Sequence, residues 1–251
     1  MSPAAWALAG VVLGAIAGSF LGTLALRWPA GRSIMKGRSA CDACGRTVGT
    51  LELVPLLSAI ALQWRCRGCG ARIDPLHWRM ELAMAAIGGI ALALVPDIGG
   101  LGWALLGWLL LTLAVLDWRH FWLPDALTLP LAFLGFTIGL WASDVAMTDR
   151  MIGAIAGYAA LLAISLGYRA LRGREGLGLG DAKLLGAIGA WFGWQALPFV
   201  LLVASAVALL MVALGSMRGG ARLSGSTRIP LGTFLCIAAL PGWLLMRALI
   251  G

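Results

Sequence analysis

Long apolar segments separated by short polar ones are the feature that most restricts how this chain can fold. Charged residues make up only 12% of its 251 residues and hydrophobic residues 61%, whereas a water-soluble domain carries about 25% charged residues. A helix needs about 20 apolar residues to cross a bilayer, so these segments predict membrane-spanning helices. The eight predicted blocks are Ala4–Leu26, Leu82–Val95, Gly100–Leu116, Ala126–Ala142, Met151–Tyr168, Lys183–Trp194, Leu197–Gly215 and Leu231–Met246.

The sixth and seventh blocks could form one continuous helix or a hairpin of two helices. A single helix over Lys183–Gly215 would be about 50 Å long at about 1.5 Å per residue, which exceeds a hydrocarbon core of about 30 Å. Gly193, Gln195 and a proline also interrupt the apolar run. The sequence therefore predicts an all-α integral membrane protein with about eight transmembrane helices and a break at Trp194–Pro198.

The composition also excludes several classes of protein and partner. An extracellular disulfide scaffold, a coiled coil and a disordered chain each require a polarity or a repeat that is absent here. The net charge of +8 would suggest nucleic acid as a partner of a soluble protein. In a membrane protein, basic residues first report orientation, so we expect a lipid bilayer as partner and no nucleic acid.

The basic residues predict which way the chain crosses the membrane. If the first helix runs from outside to inside, four segments lie in the cytosol and hold 17 of the 19 Lys and Arg residues, leaving only Arg150 and Arg247 elsewhere. The four segments are 27–79, 117–123, 169–183 and 216–230. The positive-inside rule thus places the N-terminus outside. The first block could instead be a cleaved signal peptide, but no basic residue precedes it.

Four cysteines occur as two pairs in the segment 27–79, here called the cysteine loop. Cys41 and Cys44 form one Cys-x-x-Cys pair, and Cys66 and Cys69 form the second. This spacing is typical of a structural zinc site, because four thiolates can complete a tetrahedron and leave no position for water. Two disulfides are the alternative, but the predicted location is the reducing cytosol. Cys236, in the last block, is interpreted as a small packing residue.

Three aspartates lie at the predicted cytosolic ends of apolar blocks. Asp125 and Asp181 precede helical segments, where an acid also favours the helix terminus. Asp117 ends a block, where a negative charge opposes the helix dipole, so capping does not explain it. Two aspartates brought together cannot easily both ionise, so one holds a proton while the other activates water, as in aspartic proteolysis.

The remaining polar residues of the apolar regions suggest no second catalytic group. His77 and His120 lie at predicted cytosolic ends beside basic residues, and neither has an evident serine partner. We interpret both as interfacial residues. Glu81 is expected to reach the interface together with Arg79, and the alternative is that it helps to bind a charged ligand.

Five motifs, in order along nearly the whole chain, resemble those of the prepilin peptidases, or type IV leader peptidases. These are bacterial membrane aspartic proteases of the GxGD type, which process type IV prepilins and type II secretion pseudopilins. The motifs are GSFLGTLALRWP, the two cysteine pairs, LDWRHFWLPD, GLGLGDAKLLGAIGAWFG and IPLGTFL.

The resemblance implies a role for specific residues. Asp117 and Asp181 would form the catalytic pair at the cytosolic face of the inner membrane, within a peptidase part spanning residues 97–251. The residues expected in supporting positions are Asp125, Gly178, Gly180 and Lys183. Residues 1–96, with the cysteine loop, would form a methyltransferase part that uses S-adenosylmethionine, although no motif locates the methyl donor. Gly22 stands where the family usually has Asn.

Two other classes of function remain open from the sequence. One is a transporter with carboxylate ion sites, and the other is a zinc-stabilised assembly scaffold without catalysis. A transporter would place its acids near the middle of the bilayer, whereas all three aspartates lie at one predicted interface. The oligomeric state and the particular pilin substrate do not follow from the sequence.

Overall fold

The computed structural model describes residues 2–34, 39–173, 177–217 and 229–250, and it is all-helical in these ranges. The only β-type pairs among them are two isolated bridges in the cysteine loop, Ala40 with Thr47 and Arg65 with Arg72. The α-helices of the described residues are α1 (Pro3–Arg27), α2 (Leu57–Ala61), α3 (Pro75–Leu94), α4 (Ile98–His120), α5 (Asp125–Phe136), α6 (Gly139–Ala142), α7 (Met147–Arg172), α8 (Leu179–Phe192), α9 (Leu197–Met217) and α10 (Leu231–Ile250).

Every apolar block of the sequence lies mainly within helices, and the predicted hairpin break is confirmed. Helix α8 ends at Phe192, Gly193 follows with a positive φ of 77°, and a 3₁₀ turn over Trp194–Ala196 precedes α9. The fourth block differs from the prediction because it divides into α5 and α6. Pro130 lies inside α5, and the helix ends six residues later.

Five segments of the described chain are long and apolar enough to cross a membrane. They are α1, α4, α7, α10 and the segment Trp194–Ser216, which contains most of α9. Helices α5 and α8 have 12 and 14 residues, so they extend only about 18–21 Å, less than a hydrocarbon core of about 30 Å. The chain is therefore a helical protein with several candidate spans, and the predicted number of eight is not confirmed.

The chain divides into two compact units, Met1–Trp108 and Leu109–Gly251. In the first unit, α1 presents a glycine at every fourth position to α3. A Cβ atom at Gly10 would overlap the backbone of Gly88, and one at Gly18 would lie 2.5 Å from the Cα of Glu81. Small residues at this spacing allow two membrane helices to approach closely. Gly22 continues the stripe, because its Cβ would lie 3.2 Å from the Cβ of Met80.

In the second unit, α8 is the central helix. All but four of its residues are buried, which agrees with its apolar composition on every side. Helices α5, α7 and α10 pack against it, and α9 packs mainly against α10. Gly157 of α7 allows a close approach, because a Cβ there would lie 2.8 Å from the carbonyl oxygen of Leu185.

Arg150 is fully buried near the C-terminal end of α8, although the sequence suggested only a basic residue outside the cytosolic segments. Its side chain donates hydrogen bonds of 2.8–3.1 Å to six backbone carbonyl oxygens and also bonds the Ser143 hydroxyl at 2.8 Å. The carbonyl groups belong to Gly135, Gly139, Ser143, Val145, Ala190 and Trp191. Carbonyl groups at helix ends lack partners within the helix, so this arginine satisfies several of them at once.

Candidate active site and metal centre

Asp117 lies in the last turn of α4 and its side chain points into the second unit. The residue is only 5% exposed. One carboxylate oxygen accepts hydrogen bonds from the backbone N–H of Thr233 at 2.6 Å and from the Thr233 hydroxyl at 3.0 Å. The same hydroxyl lies 3.1 Å from the carbonyl oxygen of Ala114, one turn earlier in α4. Thr233 therefore fixes the orientation of this carboxylate.

Asp181 lies in the first turn of α8, where the chain enters the helix from Gly178. Its carboxylate interacts with the backbone N–H groups of Gly178 and Gly232 and lies within electrostatic range of Asp117. A Cβ at Gly232 would lie 3.1 Å from the Cγ of Asp117, so Gly232 is close to both acids. The structure thus brings together the two aspartates that the sequence predicted as a pair.

The start of α10 was not predicted as part of this site. The backbone N–H of Gly232 interacts with the carboxylate of Asp181, and the backbone N–H of Thr233 donates a hydrogen bond to that of Asp117. The N-terminus of a helix carries a partial positive charge and unpaired N–H groups, which suits two carboxylates. The motif IPLGTFL contains these residues, but the sequence alone does not show that they face the aspartates.

Leu123 occupies the space between the glycine motif and α10. A Cβ at Gly180 would lie 2.9 Å from the Cβ of Leu123, and one at Gly232 would lie 2.7 Å from its Cδ1. Both glycines therefore permit close packing around this side chain. Leu123 is not recognisable from the sequence, because an apolar residue in an apolar chain carries no distinguishing signal.

Asp125 and Lys183 form an ion pair, and Lys183 follows Asp181 by two residues in α8. The Lys183 Nζ lies 2.7 and 2.8 Å from the two carboxylate oxygens of Asp125. Asp125 is the first residue of α5, and Pro124 occupies the cap position before it. The acid thus lies in the first turn, where the helix dipole favours it, and it also links the start of α5 to the start of α8.

We predict that this ion pair supports the peptidase activity that the resemblance implies without being essential to it. Asp125→Asn and Lys183→Met should each lower the cleavage rate by less than about tenfold, because a partly exposed ion pair contributes only about 0–1 kcal/mol. The double variant should be no slower than either single variant, since both remove the same interaction. Initial cleavage rates of the three variants test this, and additive losses would contradict it.

The four cysteines of the cysteine loop come together as the sequence predicted. Their sulfur atoms all lie within 4.8 Å of one another, and the Cys41–Cys69 and Cys44–Cys66 sulfur pairs are each 3.9 Å apart. Four sulfurs at about 2.3 Å from a central zinc ion would be about 3.8 Å apart in a tetrahedron. A disulfide requires about 2.05 Å, so the four side chains fit a metal ion and are not disulfide-bonded here.

The two cysteine pairs lie on equivalent turns. In each pair the glycine after the second cysteine has a φ of +70°, and its N–H donates to the carbonyl of the first cysteine at 2.9 Å. Backbone N–H groups of Cys69 and Gly68 lower the pKa of the Cys66 thiol to about 6. The pKa of the Cys69 thiol, which the Ala71 backbone lowers and the neighbouring Cys44 thiol raises, lies at about 11, so the four thiols are not equally acidic. A thiol that readily loses its proton is suited to metal binding, because the thiolate is the ligand.

Three further residues of the sequence analysis have defined positions. His120 is exposed at the end of α4, which agrees with an interfacial residue, and Cys236 is buried in α10 as a packing residue. The expectation for Glu81 is wrong. It is only 7% exposed, and its carboxylate accepts a hydrogen bond of 2.8 Å from the backbone N–H of Leu56, because the cysteine loop covers it.

Comparisons with known families cover most of the chain. Residues 104–213 match the type IV leader peptidase family, and residues 12–95 match the bacterial peptidase A24 N-terminal domain. The first match includes both aspartates and the Asp125–Lys183 pair. The second match includes all four cysteines of the metal centre.

Several curated proteins are similar to this chain, and each is named prepilin leader peptidase/N-methyltransferase. One from Aeromonas hydrophila is 42% identical over 214 residues, covering 84% of this chain and 72% of its own length. One from Burkholderia pseudomallei (strain K96243) is 41% identical over 82% of this chain and 67% of its own. One from Pseudomonas aeruginosa is 33% identical over 96% of this chain and 90% of its own length. No solved structure matches the chain.

Proposed function

Since the chain belongs to the type IV leader peptidase family, we propose that it is a membrane aspartic endopeptidase that removes the basic leader from prepilins or pseudopilins. The observation that carries the proposal is the pair Asp117 and Asp181, held by consecutive N–H groups of α10. The names of the relatives support the class of substrate. The geometry supports the reaction, because a peptide bond is hydrolysed by an acid and a base acting together.

The reaction follows from the proximity of two like charges. The two aspartates cannot easily both be ionised, so one carboxylate removes a proton from the attacking water. The protonated partner polarises the scissile carbonyl and then donates its proton to the leaving amine. Burial of Asp117 limits the access of bulk water, which strengthens these electrostatic interactions.

The first unit would carry the second activity, N-methylation of the amine that cleavage releases. The relatives' names include N-methyltransferase, and the cysteine loop lies in the part that matches the bacterial N-terminal domain. S-adenosylmethionine would supply the methyl group. The four cysteines would hold a structural zinc ion, because all four positions of a tetrahedral site are filled by sulfur.

The distribution of basic residues supports the location and orientation. We place the chain in the bacterial cytoplasmic membrane with its N-terminus outside and both aspartates at the cytosolic face. In this arrangement α3, α5 and α8 complete eight membrane helices. Helices α5 and α8 are short, and packing against other helices of the second unit would shield their ends from lipid.

One assay tests the proposed function. Protein purified in detergent is incubated with a prepilin and S-adenosylmethionine, and the masses of the products are measured. The expected products are the free leader and a mature pilin that carries one additional methyl group. A transporter or a non-catalytic scaffold would leave the prepilin intact, so absence of cleavage overturns the peptidase proposal.

We predict that the purified protein binds one zinc ion through the four cysteines. Replacing Cys41 and Cys44 by Ser should remove the metal and lower methylation more than cleavage. Metal binding supplies about 10–16 kcal/mol in small zinc domains, whereas this loop contributes no carboxylate to the aspartate pair. Elemental analysis and the rates of both reactions are the measurements.

The variant Cys236→Ser serves as the matched control, since this cysteine is not part of the cluster. It should retain the zinc ion. Equal losses of cleavage and methylation in the Cys41/Cys44 variant would show that the cysteine loop also takes part in proteolysis.

A further inference from the structure

The first unit contains a cavity of about 270 Å³, just below the range of about 300–1,000 Å³ for small-molecule sites. Ser19 and Thr23 of α1 and Glu81 of α3 form part of its wall, and the cysteine loop forms the rest. The zinc ligands Cys41 and Cys66 also border it. The cavity therefore depends on the folded cysteine loop, but none of the residues of the aspartate pair lines it.

Glu81 gives this cavity a buried negative charge. Asp42 and Glu52 also line the wall, but each forms an ion pair with an arginine. The carboxylate of Glu81 accepts a hydrogen bond from the backbone N–H of Leu56. Among the ion pairs found in the described ranges, none involves Glu81. Burying a carboxylate without a cation is costly. A positively charged group of a ligand would offset this cost.

Aromatic and basic side chains complete the wall. Trp64 and Trp78 both line the cavity, with ring centroids 6.0 Å apart. Such rings bind flat aromatic groups and also attract cations over their faces. Four arginines on the wall that are not part of the two ion pairs, Arg27, Arg65, Arg67 and Arg72, are suited to a carboxylate. The wall thus offers partners for an aromatic group, a cation and an anion.

The backbone around α2 is held in an uncommon conformation beside the cavity. Leu56, Gln63 and Trp64 have positive φ values of 61°, 49° and 56°. Positive φ is costly for residues with a side chain and tends to persist at ligand sites. Leu56, with its positive φ, donates its backbone N–H to Glu81. Trp64, which also has a positive φ, contributes its side chain to the wall of the cavity.

From these contacts we infer that the cavity is the binding site of the methyl donor, S-adenosylmethionine. This molecule carries an aromatic base, a carboxylate, an ammonium and a sulfonium, so each type of group on the wall has a counterpart. Glu81 faces the positive charge of the ligand, and the two tryptophans bind its apolar and aromatic parts. The inference rests on the proposed methyltransferase function and assigns that function to specific residues.

Calorimetric titration of the zinc-loaded, full-length protein in detergent with S-adenosylmethionine tests the assignment. Glu81→Gln keeps an oxygen that can accept the Leu56 N–H but removes the charge, so the affinity should fall by about tenfold or more. Trp78→Ala should also weaken binding. Asp74→Asn is the matched control, because it removes a charge from the same helix while Asn remains a good N-cap. Its affinity should equal that of the wild type.

Prepilin cleavage and zinc content, measured on the same preparations, should stay at wild-type levels and show that the variants are folded. Wild-type affinity in Glu81→Gln would overturn the assignment of the cavity, while methylation by the wild-type protein would leave the proposed function intact. A wild-type protein that cleaves but neither methylates nor binds the donor would overturn both. Competition by an anionic phospholipid, with affinity unchanged in Glu81→Gln, would identify a lipid site and also overturn the assignment.

Discussion

Replacing Asp117 or Asp181 by Asn is expected to abolish detectable prepilin cleavage, with a loss of about 10²- to 10⁴-fold in rate. An amide cannot remove a proton from water or donate one to the leaving amine. Because the two acids act as a unit, the double variant should be no worse than either single one. The rate is measured by mass spectrometry of the released leader, and near-normal cleavage by either variant would exclude the pair as the catalytic acids.

Thr233→Val provides the graded comparison for this experiment. It removes the hydroxyl that lies 3.0 Å from Asp117 but retains the backbone N–H at 2.6 Å. One hydrogen bond to a charged group is worth about 1.5–3 kcal/mol, so a loss of about tenfold or somewhat more is expected. Methylation of a pilin from which the leader was already removed should proceed in all of these variants, which shows that the protein remains folded.

The second large effect is expected on stability. Arg150→Ala should destabilise the protein by about 3–5 kcal/mol, because six helix-end and loop carbonyl groups each lose a hydrogen bond from the guanidinium in a region closed to water. Arg150→Lys should restore little of this. A lysine has three donors at one point, whereas the guanidinium distributes five donors over a plane. The free energy of unfolding in mixed detergent micelles is the measurement.

Arg247→Ala is the matched control for the arginine at position 150. Arg247 is exposed near the end of α10 and lies over the Trp243 ring at 5.3 Å. An exposed cation–π contact is worth about 0.5–1 kcal/mol. If both alanine variants were equally stable, the carbonyl contacts of Arg150 would not contribute to the stability of the second unit.

Sequence patterns predicted the helices, the clustering of the four cysteines and the proximity of Asp117 and Asp181. The helices follow from apolar length, which is a local property, and the cysteine cluster follows from a spacing that fits one coordination geometry. The aspartates were assigned through motifs that surround them. Each of these features is carried by residues that are close together in the chain or have a distinctive chemistry.

The features that sequence reasoning missed depend on contacts between distant segments. The role of Arg150 had no signal in the sequence, because its acceptors are backbone carbonyl groups, which leave no trace in a sequence. Thr233 and Leu123 look like ordinary residues of an apolar chain until α10 is placed beside α4 and α8. The glycine stripe of α1 was similarly hidden among 35 glycines, and the burial of Glu81 depends on how the cysteine loop folds over α3.

Two adjacent N–H groups at the start of α10 bear on the spacing of Asp117 and Asp181. Consecutive residues of a chain are separated by one peptide unit, with about 3.8 Å between their Cα atoms, and Gly232 and Thr233 direct their N–H groups to different acids. The separation of the carboxylates is thereby tied to covalent backbone geometry. Side-chain mutations elsewhere in α10 can change its packing, but only proline can delete one of these donors. The spacing of the two aspartates is consequently expected to tolerate most side-chain substitutions in α10.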